Sequence, residues 1–316
     1  MKFNIYRMIK YTKYIILCFV CLLLSLTFAN SYENKILFKV NNQIITSLDI
    51  LNELQYLQII NKEFDKIKKE EAFKISKNSL IREKIKEIEI KKNIKEIKIE
   101  NKILEKLLLN YFREFEIKSI SEFEKFFLDR NIDPSEIRKK ITLEVLWNQL
   151  IYKKYQKNLQ INKQKIMDDL KKDDKQSEFL LAEILFNVDE GENLNDKFNL
   201  INNSIRKINF SQTALAYSTS NTANKGGKLG WVAESILSEK IFNELKNLKI
   251  GEHTNPILVP GGFLILKLLD LKKINKNFDF EKEVKKIIRE KTNQQLNRFS
   301  NIYFNKVKKD IIINEL

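Results

Sequence analysis

The chain is 316 residues long, with a formal charge of +15 and 31% of its residues charged. That length allows two modest domains with separate cores. Lysines are mixed with acids along the whole sequence, and no basic cluster gathers on one helix or interleaves with aromatics, so nothing marks a nucleic-acid interface.

The first segment reads as an address. Lys2, Arg7, Lys10 and Lys13 precede an uncharged apolar run of 15 residues, Tyr14 to Phe28, and Thr27-Phe28-Ala29 offers a small-residue cleavage site. This is the order of a secretory signal peptide over residues 1–29. The run is shorter than the roughly 20 residues a membrane-spanning helix needs. Cys18 and Cys21 leave with it, so the mature chain has no cysteine and forms no disulfide, although its compartment would permit one. The alternative keeps the leader uncleaved as an anchor.

Next comes a short hairpin. Ile36 to Val40 alternates like a strand, Asn41-Asn42 suits a turn with φ > 0, and Gln43 to Thr46 returns. Thr46-Ser47-Leu48-Asp49 has capping-box spacing and opens a helix carrying Ile50, Leu54 and Leu57. From Glu70 to Tyr155 the pattern is helical, with no glycine and one proline. Apolar stripes run through Leu80, Ile81, Ile85 and Ile88, then through Ile103, Leu104, Leu107 and Leu108. Ser121 is expected to cap a helix bearing Phe123, Phe126 and Phe127. Asp133-Pro134 places a capping acid before a proline at the first helical position. Residues 161–175 read as a polar linker helix.

All seven glycines fall between Gly191 and Gly262, which marks a small, tightly turned unit in that window. Phe179 to Val188 is apolar on both faces, as a covered central strand would be. Phe198 to Ile208 reads as a helix, Ser211 as the cap of another, and Leu237 to Leu248 as a third. Gly251, Asn255-Pro256 and Pro260-Gly261-Gly262 turn the chain into the strands Ile257 to Val259 and Phe263 to Leu269. After residue 274 the helical pattern resumes through Phe280, Val284, Ile287, Leu296, Phe299 and Tyr303, and it ends in a strand-like Asp310-Ile311-Ile312-Ile313.

The succession Ala216-Tyr217-Ser218, Asn224-Lys225-Gly226-Gly227-Lys228-Leu229-Gly230-Trp231, Gly251-Glu252 and Asn255-Pro256-Ile257 closely resembles the parvulin-type peptidyl-prolyl isomerase domain. The opening Val40-Asn-x-x-Ile-Ile-Thr-x-x-Asp-Ile50 resembles the N-terminal module of SurA-type periplasmic chaperones. The resemblance implies an α+β fold: a mostly helical SurA-type module over residues 30–176, a parvulin-like domain with a small antiparallel sheet over 177–274, and a C-terminal helix and strand over 275–316 that completes the first module. The best-known members have two parvulin domains, and this chain has room for one.

Isomerising an X–Pro bond means crossing a barrier of about 18–20 kcal/mol without nucleophile or metal. The site holds the proline ring in an apolar pocket and weakens amide resonance by hydrogen bonding and desolvation. Active parvulins use two histidines on neighbouring strands and an acid or thiol in the loop after Tyr-Ser. By resemblance those three positions fall at Glu183, Leu264 and Ser220, and the proline pocket falls at Leu237 and Ile241, with Phe263 and Leu264 beside it. Lys228 replaces the acid usual after Gly-Gly. Glu183 is the one charge in an apolar run, read either as an edge-exposed carboxylate or as a pocket residue facing the client.

Other chemistries have no motif. The one histidine, His253, lies in a Gly-Glu-His-Thr turn, and without a mature cysteine it cannot build the usual zinc site. No Gly-x-Ser-x-Gly, P-loop or dinucleotide fingerprint occurs, so no metal or cofactor is expected. The resemblance implies a chaperone for unfolded outer-membrane or secreted polypeptides, with outer-membrane assembly machinery as a further partner and no nucleic acid. With both histidine positions substituted, isomerase activity is expected to be weak or lost. The alternatives are a working isomerase and a signal-anchored folding factor. Intact mass of the exported protein should match cleavage near Ala29, without either cysteine; a full-length, membrane-bound species would support the anchor instead.

Overall fold

The computed structural model describes residues 34–172, 175–188, 191–275 and 279–316, so the leader and its cleavage site lie outside the described residues. Strands β1 (Ile36–Val40) and β2 (Gln43–Thr46) form the expected hairpin, with Asn41 at φ +48° in the turn. Phe38 and Val40 face the core while Lys39 is exposed. The far end of the chain returns to this hairpin: β7 (Ile313–Glu315) pairs antiparallel with β1, giving the order β2-β1-β7.

Helix α1 (Ser47–Ile60) starts at the Thr46–Asp49 capping box, in which the Thr46 N–H donates to the Asp49 carboxylate at 2.7 Å. There follow α2 (Lys69–Asn93), α3 (Asn101–Tyr111), α4 (Ile120–Leu128) and α5 (Pro134–Tyr155). Asp133 caps α5 as expected, its carboxylate accepting from the Ser135 N–H at 2.8 Å. The cap of α4 is Ser119 rather than Ser121, because the helix begins two residues earlier than its first phenylalanine stripe indicates. The core beneath these helices is aromatic: Phe112, Phe123, Phe127 and Trp147 are fully buried, and Phe112 meets Phe127 edge-on at 5.1 Å.

After α6 (Lys163–Lys172), β3 (Lys175–Phe186), β4 (Lys228–Ala233), β5 (Ile257–Val259) and β6 (Gly262–Asn275) form an antiparallel sheet in the order β4-β3-β6-β5. Helices α7 (Leu194–Lys207) and α8 (Phe210–Tyr217) cover one face, and α9 (Glu239–Leu245) lies on the other. Asn209 caps α8, not Ser211: its carboxamide oxygen accepts from the Gln212 N–H at 2.9 Å. Ser211 is instead packed against Gly226, where a Cβ would fall 1.9 Å from its hydroxyl oxygen.

The last helix, α10 (Phe280–Lys309), has 30 residues and is about 45 Å long at ~1.5 Å per residue. Val284 and Ile287 bury against Ile166, Leu170, Ala233 and Ile236. The later turns complete the core of the N-terminal helices through Tyr303 and Val307. There the Trp147 indole N–H donates to the Ser300 hydroxyl at 2.8 Å, Tyr155 stacks on Phe299 at 4.7 Å, and the Tyr303 hydroxyl donates to Glu89 at 2.5 Å. Burial and the Glu89 carboxylate hold the Tyr303 phenol far above its ordinary range. Sequence reasoning assigned this helix to one side, but its length lets it reach both. Among the described residues no helix is long and apolar enough to cross a membrane.

Ser300→Ala leaves the indole N–H of Trp147 unpaired in the core, at a cost of about 1–3 kcal/mol. The melting temperature should fall by several degrees, and an unchanged melt would show that the tie carries no stability.

Candidate functional site

Strand alternation builds the site. Along β3, Leu181, Glu183 and Leu185 point to the α9 face, while Ala182, Ile184 and Phe186 point to α7 and α8. β6 pairs so that Leu181 lies opposite Leu268, Glu183 opposite Leu266 and Leu185 opposite Leu264. The bulge between Leu180 and Leu181 lies just before this stretch, so regular alternation keeps those leucines on one face. Leu181, Leu185, Leu264 and Leu266 floor a cleft of about 300 Å³, walled by Leu237 and Ile241 and rimmed by Leu229 and the partly exposed Trp231.

Glu183 is the one charge on that floor. Its Oε1 accepts from the Ser220 hydroxyl at 2.5 Å and from the Thr222 hydroxyl at 2.9 Å. Burial pushes the carboxyl above the usual range, and the two hydroxyls oppose that rise by stabilising the charged form. The loop that brings the hydroxyls here is pinned to β3. The Leu185 N–H donates to the Ser218 hydroxyl at 3.1 Å, and the Thr219 N–H donates to the Leu185 carbonyl at 2.7 Å. The Glu183 N–H donates to the Gly227 carbonyl at 2.8 Å. Gly227, at φ +77°, must be glycine, since a Cβ would come within 2.2 Å of the Glu183 carbonyl oxygen.

Two further groups reach the site from outside the sheet. Arg82, on α2, donates to the Ser218 carbonyl at 3.1 Å and to the Ser220 carbonyl at 3.5 Å. The polar side of α10 forms the remaining wall through Asn293, Asn297 and Arg298.

Of the residues singled out from sequence, Glu183, Ser220, Leu237, Ile241 and Leu264 come together around the cleft. Phe263 does not: it neighbours Leu264 on the strand and so faces the opposite side, where it stacks on Phe186 at 5.8 Å. His253 lies away from the cleft in a bridge with Lys267. Thr222, Arg82 and the α10 residues were missed. The polar alternation Ser218, Ser220, Thr222 was a usable signal for Thr222. Arg82 had none, being 138 residues from Ser220. Among the described residues no group of His, Cys, Asp and Glu is placed to hold a metal. Chemically, the cleft offers an apolar seat with one hydroxyl-bound carboxyl and no imidazole.

Comparison with known proteins agrees with this geometry. Residues 167–270 match the rotamase family described by a PPIC-type PPIASE domain. Chaperone SurA of Pseudomonas putida is 27% identical over 165 residues, covering 48% of this chain and 38% of that protein. Chaperone SurA of Pseudomonas aeruginosa is 24% identical over 162 residues, covering 48% and 39%. The chain thus spans about two fifths of the length of these curated relatives. Among solved structures, one of the pair PEB4 and Cj1289, described as SurA-like chaperones of Campylobacter jejuni, is 15% identical, covers 90% of this chain and 99% of its own, and has a TM-score of 0.35. Residues 167–270 therefore match the parvulin-type rotamase domain, in a chain that is similar to SurA chaperones over about half of its length.

Proposed function

We propose that the mature chain is a periplasmic chaperone that holds unfolded outer-membrane or secreted polypeptides and isomerises X–Pro bonds slowly or not at all. The leader over residues 1–29 is cleaved on export. The working parts are a helical module over 30–176, the parvulin-like domain over 177–274 and the C-terminal segment over 275–316. Handing clients to outer-membrane assembly machinery belongs to the same reading. The observation that carries it is the cleft floor: Leu264 and Glu183 stand at the positions where the family resemblance puts histidines. Leu264 contributes no polar group, and an ionised Glu183 is only an acceptor. The apolar floor and walls are intact, so binding survives where the isomerising network is altered. Such clients expose strand edges and apolar segments that aggregate unless bound.

A second reading, a working isomerase, draws on the raised Glu183 carboxyl, since its protonated form can donate a hydrogen bond to the amide. The two readings separate in one assay series on the mature protein, with a proline-containing peptide and an aggregating unfolded client. The chaperone reading expects turnover within about tenfold of the uncatalysed rate, which takes tens to hundreds of seconds, with aggregation still suppressed, and Glu183→Ala changing neither. A thousandfold acceleration, equivalent to about 4 kcal/mol, that Glu183→Ala abolishes and that grows as pH falls would establish the isomerase instead.

Stability carries its own signature. The folded carboxyl of Glu183 is raised above its unfolded value, so the folded state binds more protons than the unfolded one and loses stability as pH rises past the unfolded value. Glu183→Gln should therefore raise the melting temperature near pH 7 by a few degrees, with the gain vanishing near pH 4. A gain that persists at low pH would rule out the titration of Glu183 as its cause.

A further inference from the structure

We infer that the polar face of α10 is the second wall of the peptide cleft and binds the main chain of an extended polypeptide, while the leucine floor takes its proline or apolar side chain. This rests on the proposed reading and goes beyond it in naming what the cleft recognises. Asn293, Gln294, Asn297, Arg298 and Asn301 follow one another at three- and four-residue spacing and all line the cleft opposite Leu181, Leu185, Leu264 and Leu266. None of these five side chains has a hydrogen-bond or ion-pair partner among the described residues. Gln295, just beside them, shows the contrast: it turns the other way and is fully engaged, donating to the Gln160 carbonyl at 2.7 Å and accepting from its N–H at 2.9 Å.

The chemistry of the free groups selects the occupant. A carboxamide carries an acceptor and two donors, which match the carbonyl and N–H of a peptide unit whatever its side chain. Arg298 adds donors only, suited to carbonyl oxygens, and burial pulls its guanidinium below the ordinary value with no acid close enough to restore it. A lipid chain would leave these amides unpaired on one side. A phosphate or nucleic-acid strand would meet Glu183 and Glu290 in the same cleft. An extended peptide satisfies both floor and wall, because its main-chain N–H and C=O groups project roughly at right angles to its side chains.

The dimensions agree. From Asn293 to Asn301 the helix advances about 12 Å at ~1.5 Å per residue, the length of three to four extended residues at ~3.3 Å each. Arg298 also lines two adjoining cavities of about 620 and 430 Å³, one toward α6 and one beside Asn158 and Pro260. A polypeptide longer than the cleft therefore has adjoining open space beside Arg298, as an unfolded client requires and a short ligand does not.

The test uses the mature full-length protein and a fluorescein-labelled peptide, Gly-Ala-Leu-Pro-Phe-Ala, read by anisotropy. The double variant Asn297→Ala/Asn301→Ala is expected to weaken binding about tenfold, with the same loss for peptides whose residues flanking proline are changed. N-methylating the peptide amides on either side of Leu-Pro should weaken binding to the parent by a similar factor and add little to the loss in the double variant. That arm keeps the parent protein, so it stands even where the variant folds poorly. Equal affinity of parent and folded variant, or N-methylation without effect, overturns the inference. Aggregation suppression is measured in parallel. Suppression without α10-dependent peptide binding overturns this inference and leaves the chaperone reading standing. Binding that depends on α10 without suppression does the reverse.

Discussion

Helix α10 buries apolar residues at both ends, and neither half of the chain alone could cover it. Its early turns need Ala233, Ile236 and α6, and its late turns need Trp147, Tyr155 and the Glu89 carboxylate. A 30-residue helix in isolation would be held by propensity alone, whereas most helical stability in proteins comes from packing an apolar face. The stretch between the two buried ends is then suspended over the sheet. That stretch is where its side chains turn from valine and isoleucine to amides, so a structural tie and a polar wall are consecutive turns of one element.

The second constraint acts from the opposite side. Arg82 leaves α2 and spends its guanidinium on two carbonyls of the loop that carries Ser218 and Ser220. Nearby, Lys140 bonds to both Glu53 and Glu83. Burial alone would depress that ammonium, but the two carboxylates outweigh it and hold the lysine well above its ordinary value. Buried charges of this kind are strongly destabilising when one partner is removed, while adding little net stability as a set. Their effect here is geometric: the N-terminal helices fix the backbone of the loop whose hydroxyls bind Glu183.

Within the sheet the decisive fact is parity. One residue along a strand reverses the face, so Leu264 joins the cleft and Phe263 joins the opposite core. The same parity places Glu183 among leucines, where two hydroxyls compensate for part of its lost hydration. The floor of the cleft therefore keeps its apolar character around one carboxyl, whose Oε1 accepts from both hydroxyls.

The sequence alone determined what depends on near neighbours. The turn at Asn41, the capping box at Thr46, the Asp133-Pro134 helix start and the covered strand after Phe179 all follow from spacing within a few residues, and all are present. Local signals failed where two polar residues two positions apart offered the same cap: Ser119 and Asn209 took the roles expected of Ser121 and Ser211, because each helix begins earlier than expected. The floor of the site was legible in part, since Glu183, Leu264, Leu237 and Ile241 stand in a recognisable order. Tertiary structure decided which way Phe263 faces, since strand parity becomes visible only once the register with β3 is set. It also decided that Arg82 reaches Ser220 across 138 residues and that the amides of α10 close the cleft. Those contacts join segments with no shared periodicity, so no local pattern could encode them; they exist because the chain folds back and buries one long helix against both of its halves.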